Sequence, residues 1–248
     1  MRLKRISLAV LPLLAGVAHA DSLLTDAPDQ GFAGSASAGL VKTTGNTETE
    51  TLNADFDLKW RYTPAFAMGL EVGAFRDSSE NDAGDDETTA ERYWARWNTR
   101  YDLSEKSFLF SNIDYERDRF SGYDYQATAF GGYGYQFIDN AVNSLAMGAG
   151  LGYRVSKTDE LGEKENEVVL RGTLNFRHAF SETSEFTQLI VADFGEEYDV
   201  YRSESVITAN IVGNLALKAG VAVKHTTDVP VGNEKTDTIT TVGLQYDF

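Results

Sequence analysis

A strict alternation of apolar and polar residues over long stretches is the feature that most constrains the fold of this chain. The clearest stretch runs from Leu52 to Tyr62, where apolar or aromatic residues occupy every second position and Asn, Asp, Lys or Arg lies between them. The last nine residues, TTVGLQYDF, repeat the pattern and end on Phe248. Because successive side chains of a β-strand point to opposite faces, each stretch predicts a strand with one apolar and one polar face.

Segments of this kind cover most of the chain, and many exceed the five or six residues that are common for strands of soluble domains. They suit tilted strands that cross a membrane, which need roughly nine to eleven residues in the hydrocarbon. The twelve predicted strands lie near 31–43, 48–63, 65–76, 88–103, 107–119, 123–138, 143–156, 166–180, 184–197, 202–214, 216–228 and 236–248.

The connections between these segments alternate in length and charge. A short turn at 63–65 contrasts with long acidic connections at 77–89 and 227–237. Short turns at one end and long loops at the other are typical of membrane barrels. We therefore predict an all-β fold, a transmembrane up-and-down antiparallel β-barrel of about twelve strands over residues 31–248. The stretch 184–197 has no clean alternation and the turn near residue 215 is weakly marked, so ten strands stay an alternative.

The first twenty residues have the pattern of a secretory signal peptide. Arg2, Lys4 and Arg5 precede an apolar run, and Ala18-His19-Ala20 matches a cleavage site. The run is too short to span a bilayer as a helix. We expect cleavage after Ala20, a short periplasmic segment at 21–30, and location in the outer membrane of a Gram-negative bacterium.

Charge and cysteine content restrict the partners of the chain. Without the three basic residues of the signal peptide, 19 Lys and Arg stand against 38 Asp and Glu, a net charge of −19. Such a surface repels nucleic acid, so no nucleic-acid partner is expected. The sequence has no cysteine and no His/Cys cluster with metal-ligand spacing, and the acidic stretch 77–87 lacks the spacing of a calcium-binding loop. We expect no metal and no cofactor.

Two stretches resemble a known family. GFAGSASAGLVKTTGNTETETLNADFDLKW at 31–60 is similar to the first hairpin of the salt-induced outer membrane protein family (YdiY-like), whose hallmark is a T-x-G-N-T turn, here Thr43 to Thr47. KTDTITTVGLQYDF at 235–248 resembles the ending of that family. The resemblance implies an outer-membrane barrel. It supplies no catalytic residues, because the family has no assigned function.

The last strand carries a predicted assembly signal. An apolar face that ends in a terminal aromatic resembles the signal read by the outer-membrane barrel assembly machinery, and this strand must pair with the first so that no edge is left in lipid. Outer-membrane lipid and lipopolysaccharide are therefore expected partners, with basic strand ends such as Arg117 and Arg119 placed to meet phosphates. The residues of the signal are Val242, Leu244, Tyr246 and Phe248.

The polar faces predict a charged lumen. Its predicted charged lining is Lys59, Arg61, Arg92, Arg96, Arg100, Asp114, Glu116, Arg154, Arg171, Arg177, Lys218 and Lys224, with further acids at Asp55, Asp57, Glu71, Asp118 and Asp228. Arg92, Arg96 and Arg100 stand in a row on one strand, which suggests either a track for anionic solutes or a salt-bridged interior. Because acids and bases are nearly balanced, we favour the salt-bridged interior.

The sequence offers little for catalysis. His178 and His225 are the histidines outside the signal peptide, both on the outward face, and no serine lies beside His225 in sequence. An outer-membrane lipase is therefore a weak alternative. We predict a monomeric, non-enzymatic barrel that is either a narrow diffusion channel for ions or small solutes or a structural envelope component. A periplasmic soluble β-domain acting as a binding module is the alternative from another class.

Overall fold

The twelve predicted segments form twelve strands in the structure, a computed structural model that describes residues 23–43, 49–80, 86–119, 121, 123–158, 164–229 and 234–248. The strands are β1 (Gly31–Thr43), β2 (Thr49–Thr63), β3 (Phe66–Glu80), β4 (Asp86–Asp102), β5 (Ser107–Asp118), β6 (Tyr123–Asp139), β7 (Asn143–Thr158), β8 (Lys164–Ser181), β9 (Ser184–Phe194), β10 (Val200–Val212), β11 (Leu215–Thr226) and β12 (Thr236–Asp247). In these residues no helix reaches the length and apolarity of a membrane span.

Each strand pairs antiparallel with its sequence neighbours, and β12 pairs with β1, so the sheet closes into a barrel. The prediction of a twelve-stranded up-and-down barrel is confirmed, and the ten-strand alternative is wrong. The weakly marked turn lies at 213–214, where Gly213 has a φ of 56° that favours glycine. The short turns and both described chain ends lie at one end of the barrel, called here the short-turn end, and the longer connections lie at the long-loop end.

The barrel is apolar outside and polar inside. Large side chains such as Ile113, Leu151 and Val168 are more than half exposed on the outer wall, whereas Asn53, Arg171 and Asp193 are at most 2% exposed within the lumen. Hydrocarbon on the outside stabilises this arrangement, because a basic side chain facing the bilayer midplane costs roughly 2–4 kcal/mol. The distribution is that of a transmembrane barrel and argues against a soluble β-domain.

Strand β9 lacks alternation because each of its two faces carries both apolar and polar residues. Leu189 and Val191 point inward and contact each other, next to the inward Asp193. On the outer face Gln188 donates from Nε2 to the Ser203 hydroxyl at 3.0 Å, and Ser205 donates to Gln188 Oε1. Neither face is therefore purely apolar, and the periodicity cannot mark the strand.

The last residue closes the barrel. Phe248 and Gly34 exchange two backbone hydrogen bonds of 2.9 Å, and the ring of Phe248 stacks on Phe56 at 6.0 Å. A Cβ at Gly34 would lie 2.8 Å from that ring, so the glycine makes room for it. Pairing of β1 with β12 covers four residue pairs, from Ser35–Asp247 to Ala38–Leu244.

Candidate functional site

The site with the most concentrated chemistry is the lumen, and the arginines of β4 are its first element. Arg92 pairs with Glu116 at 2.7 Å, Arg96 with Glu71 at 2.9 Å, and Arg100 with Asp102 at 2.6 Å. All three side chains point inward at i, i+4 and i+8 because the strand has a period of two. Since each arginine has a carboxylate partner, the row is not an array of free cations.

A second group lies at mid-lumen around Arg171, which is 2% exposed. Its guanidinium makes a bidentate contact with Asp193, at 2.7 Å from Nε and 2.8 Å from Nη2, and donates from Nη1 to Asp114 at 2.9 Å. The same guanidinium lies 3.6 Å from the ring centroid of Phe130. Bidentate, charge-assisted hydrogen bonds are the strong kind, so this group ties three strands together across the lumen.

The remaining predicted lumen bases also have acidic partners. The pairs are Arg154–Glu167 (2.7 Å), Lys224–Glu116 (2.6 Å), Lys218–Asp55 (3.6 Å), Lys59–Asp57 (3.4 Å), Arg61–Asp102 (3.0 Å) and Arg177–Glu185 (3.5 Å). Arg177 and Glu185 are the most exposed of these residues. The predicted acid Asp228 lies outside β11 in the connection to β12 and is exposed.

Two segments outside the strands fill part of the lumen. At the short-turn end, residues 23–30, called here the N-terminal plug, fold inward so that Leu23 and Leu24 are 0% and 1% exposed. The segment 21–30 was expected to be short and periplasmic, and its described part lies within the mouth of the barrel.

At the long-loop end the connection 195–199 turns inward. Tyr198 shares hydrogen bonds of 2.8 Å with Ser156 and Gln126, and its ring lies 3.9 Å from the Arg154 guanidinium. Burial raises the pKa of the Tyr198 hydroxyl above its ordinary value. Glu167 fixes the connection by accepting hydrogen bonds from the backbone N–H of Glu196 and Glu197, at 2.7 and 3.0 Å.

A cavity opens at each end of the barrel. The cavity at the short-turn end measures about 480 Å³ and that at the long-loop end about 530 Å³, and they share none of their lining residues. Between them lies a septum, defined here as seven of the ion-paired residues that line neither cavity: Asp55, Glu71, Arg96, Asp114, Arg171, Asp193 and Lys218.

Acids outnumber bases in the lining of both cavities. At the short-turn end the charged lining is Asp26, Asp57, Glu182, Glu185 and Asp247 against Lys59 and Arg177. At the long-loop end it is Asp77, Glu91, Asp118, Glu234 and Asp237 against Arg92 and Lys224. Five acids against two bases make each mouth net acidic.

The outer wall carries the residues of the predicted assembly signal and both histidines. Val242, Leu244 and Tyr246 lie on the outward face of β12, and Phe248 directly after it stacks on Phe56 on the same side of the wall. His178 shares a hydrogen bond of 2.8 Å with Asn143, and His225 shares one of 2.7 Å with Thr236. Of the described residues, no group of His, Asp and Glu has the arrangement of a metal site.

Sequence reasoning missed several lumen residues. Asp193 lies on β9, whose alternation is obscured, and Arg202 and Glu204 lie on β10 just after it. Tyr198 sits in a connection, where no periodicity applies. Leu23 and Leu24 were missed because two leucines in an otherwise polar segment give no sign of what they contact.

Comparison with known proteins agrees with this architecture. The family model described as "Protein of unknown function, DUF481" matches residues 36–248. The "Uncharacterized protein YdiY" of Escherichia coli K12 is 28% identical over 218 residues, covering 87% of this chain and 82% of the relative.

The solved structures with a similar fold include a channel and a porin. The COG4313 outer membrane channel from Pseudomonas putida F1 matches with a TM-score of 0.56 at 9% identity, over 94% of this chain and all of that one. The NanC porin matches with a TM-score of 0.51 at 7% identity, over 87% and 97% of the two chains. At these identities the likeness concerns the barrel fold alone.

Proposed function

Because the chain belongs to the DUF481 family and folds as a barrel of the outer-membrane type, we propose that it is a narrow, non-enzymatic channel of the outer membrane that prefers small cations. The observation that carries this proposal is the charge of the two mouths. Each has five acids against two bases, which raises the local concentration of cations and lowers that of anions.

The arginines of the lumen do not oppose this preference. Arg92, Arg96 and Arg100 face Glu116, Glu71 and Asp102 at 2.6 to 2.9 Å, so their charge is compensated where a solute would pass. An anion track needs cations that are free to exchange one anionic group for the next. The pairing therefore supports the salt-bridged interior and disfavours transport of acidic solutes.

The septum sets the size of what passes. Two of its ion pairs, Arg171–Asp114 and Lys218–Asp55, join strands that are not neighbours, so permeation between the two cavities requires local rearrangement of side chains such as Arg171 and Lys218. We infer a low conductance that suits ions and very small polar solutes. A purely structural envelope role is the second candidate, favoured by the separation of the two cavities.

The outer wall supports membrane partners for a monomeric barrel. Arg117 and Arg119 are more than 60% exposed at the long-loop end of β5, where lipopolysaccharide phosphates would meet them. Export through a cleaved signal peptide is part of the same proposal, and residues 1–20 lie outside the described residues. Cleavage after Ala20 is tested by mass spectrometry of the protein from outer-membrane fractions.

Planar-bilayer recording of the refolded protein tests the channel. We expect small conductance steps and a zero-current potential of cationic sign under a KCl gradient. The triple variant Glu182→Gln, Glu185→Gln, Asp247→Asn should lose much of that selectivity, whereas Glu105→Gln, on an exposed turn at the same end, should retain it. Absence of conductance in the folded protein would favour the structural role, and anion selectivity would refute the proposal.

A further inference from the structure

We propose that the lumen wall carries a binding site for a short, acidic, leucine-bearing peptide segment, which residues 23–30 of the same chain occupy as a displaceable gate. The inference rests on the proposed channel function, because a gate presupposes a passage. The site consists of an apolar cup, two glycines that leave room for the leucine side chains, and a set of basic side chains.

The apolar cup receives Leu23. This side chain is fully buried in contact with Phe108, Phe110 and Ala146, on the inward faces of β5 and β7. A Cβ at Gly148 would lie 3.2 Å from Leu23 Cδ2, so the glycine widens the cup. Apolar wall residues in a polar lumen are unfavourable when they face water. The cup therefore favours an apolar side chain, and Leu23 supplies it.

Leu24 packs against the barrel wall in a backbone conformation that is unfavourable for leucine. It is 1% exposed, and its Cδ2 occupies space that a Cβ at Gly69 would enter at 2.7 Å. Its φ of 51° lies in the left-handed region, which is disfavoured for leucine. Contacts with the barrel must compensate for this conformation, so the docked plug depends on its site.

Basic side chains of β2 and β4 hold the polar part of the plug. Arg100 donates from Nη1 to the Leu23 carbonyl at 3.3 Å, and Arg61 donates from Nε to the Pro28 carbonyl at 2.8 Å. Lys59 forms an ion pair with Asp26. The leucine cup and the Lys59–Asp26 pair favour a segment that presents leucine and an acid, and the two arginines bind its backbone.

The contacts also allow release. Lys59 pairs with Asp57, and Arg61 and Arg100 both pair with Asp102, so each base keeps a carboxylate of the barrel when the plug leaves. Residues 23–30 form no part of the sheet, and their departure breaks no strand pairing. Release would therefore widen the short-turn mouth, remove the charge of Asp26 and expose three bases.

The test compares two full-length variants in planar bilayers. Leu23→Asp places a charge in the apolar cup, and Gln30→Asp adds the same charge at an exposed position of the same segment. Burial of one leucine shifts the docked state by roughly 10- to 100-fold. We expect Leu23→Asp to conduct severalfold more than the wild type with reduced cation selectivity, and Gln30→Asp to match the wild type.

Adding the site's ligand in trans completes the experiment. The peptide DSLLTDAPDQ, applied to the short-turn side, should restore the low conductance of Leu23→Asp, and a peptide with Asp in place of both leucines should not. Folding of each variant is checked by heat-modifiable migration. If Leu23→Asp does not fold, Asp26→Asn removes the ion pair with Lys59 at the mouth and should raise conductance more modestly.

The outcomes separate the gate from the channel. Equal, cation-selective conductance of wild type and Leu23→Asp overturns the gate and leaves the channel standing. If neither protein conducts, the channel proposal fails. The binding site is then tested separately, by measuring binding of the fluorescently labelled peptide through its anisotropy. Saturable binding to Leu23→Asp that the Asp-substituted peptide does not compete then supports the site, and absence of binding refutes it.

Discussion

Replacing Arg171 with methionine tests whether the ion pairs of the septum hold the barrel together. Methionine preserves much of the side-chain length and its contact with Phe130, but removes three charge-assisted hydrogen bonds. Asp193 and Asp114 then lose their guanidinium partner at a buried position. Removing one partner of a buried pair costs about 3–5 kcal/mol, because the remaining charge is left uncompensated.

The matched control is Arg177→Met, which removes the same group near the short-turn mouth. Arg177 and Glu185 have side chains 30% and 39% exposed and lie 3.5 Å apart, so this pair should contribute no more than about 1 kcal/mol. The total free energy of unfolding is about 5–15 kcal/mol, so the losses expected for the two variants are different enough to be distinguished.

Urea unfolding in lipid vesicles, followed by tryptophan fluorescence, measures the difference. With a dependence of about 1–3 kcal/mol per molar urea, a loss of about 4 kcal/mol lowers the midpoint by roughly 1–4 M. Equal midpoints for Arg171→Met and Arg177→Met would show that the buried ion pairs of the lumen do not stabilise the barrel.

Three other predictions concern the outer wall and the closure of the barrel. Ile113→Arg, in the middle of β5, should lower stability in lipid by about 2–4 kcal/mol, whereas Leu109→Arg near its end should cost about 0–1 kcal/mol; equal urea midpoints would contradict the assigned depth. Gly34→Val should displace the Phe248 ring and reduce the heat-resistant folded fraction on gels, while Gly172→Ala, which meets no atom within 4 Å, should not. Deleting Phe248 should lower outer-membrane levels without blocking export, and normal levels would remove its role in assembly.

The architecture could be predicted from the sequence wherever one face of a strand is purely apolar. Lipid requires such a face on the outside, so the register of β2 follows from Leu52 to Tyr62 alone, and a one-residue slip would turn Asp55 and Lys59 into hydrocarbon. On β9 the rule weakens, because Leu189 and Val191 point inward and Gln188 is satisfied on the outer wall by serines of β10.

The identity of the ion pairs could not be predicted in the same way. Lys224 and Glu116 are 108 residues apart and meet across the lumen, which depends on the curvature and stagger of the closed barrel. Alternation places both inward and does not say which acid faces which base. The N-terminal plug was missed for a related reason, since the cup for Leu23 is assembled from residues of β5 and β7 that are distant in sequence.

The central claim is that the lumen prefers cations, and parallel efflux of rubidium and chloride from proteoliposomes tests it most directly. Vesicles loaded with both radiolabelled ions and diluted at low ionic strength report the two permeabilities on one preparation of folded protein, with empty vesicles as the baseline. The acidic mouths predict that rubidium leaves faster than chloride and that added salt reduces the difference through screening. Faster chloride efflux, or efflux of both ions at the baseline rate, would contradict the account.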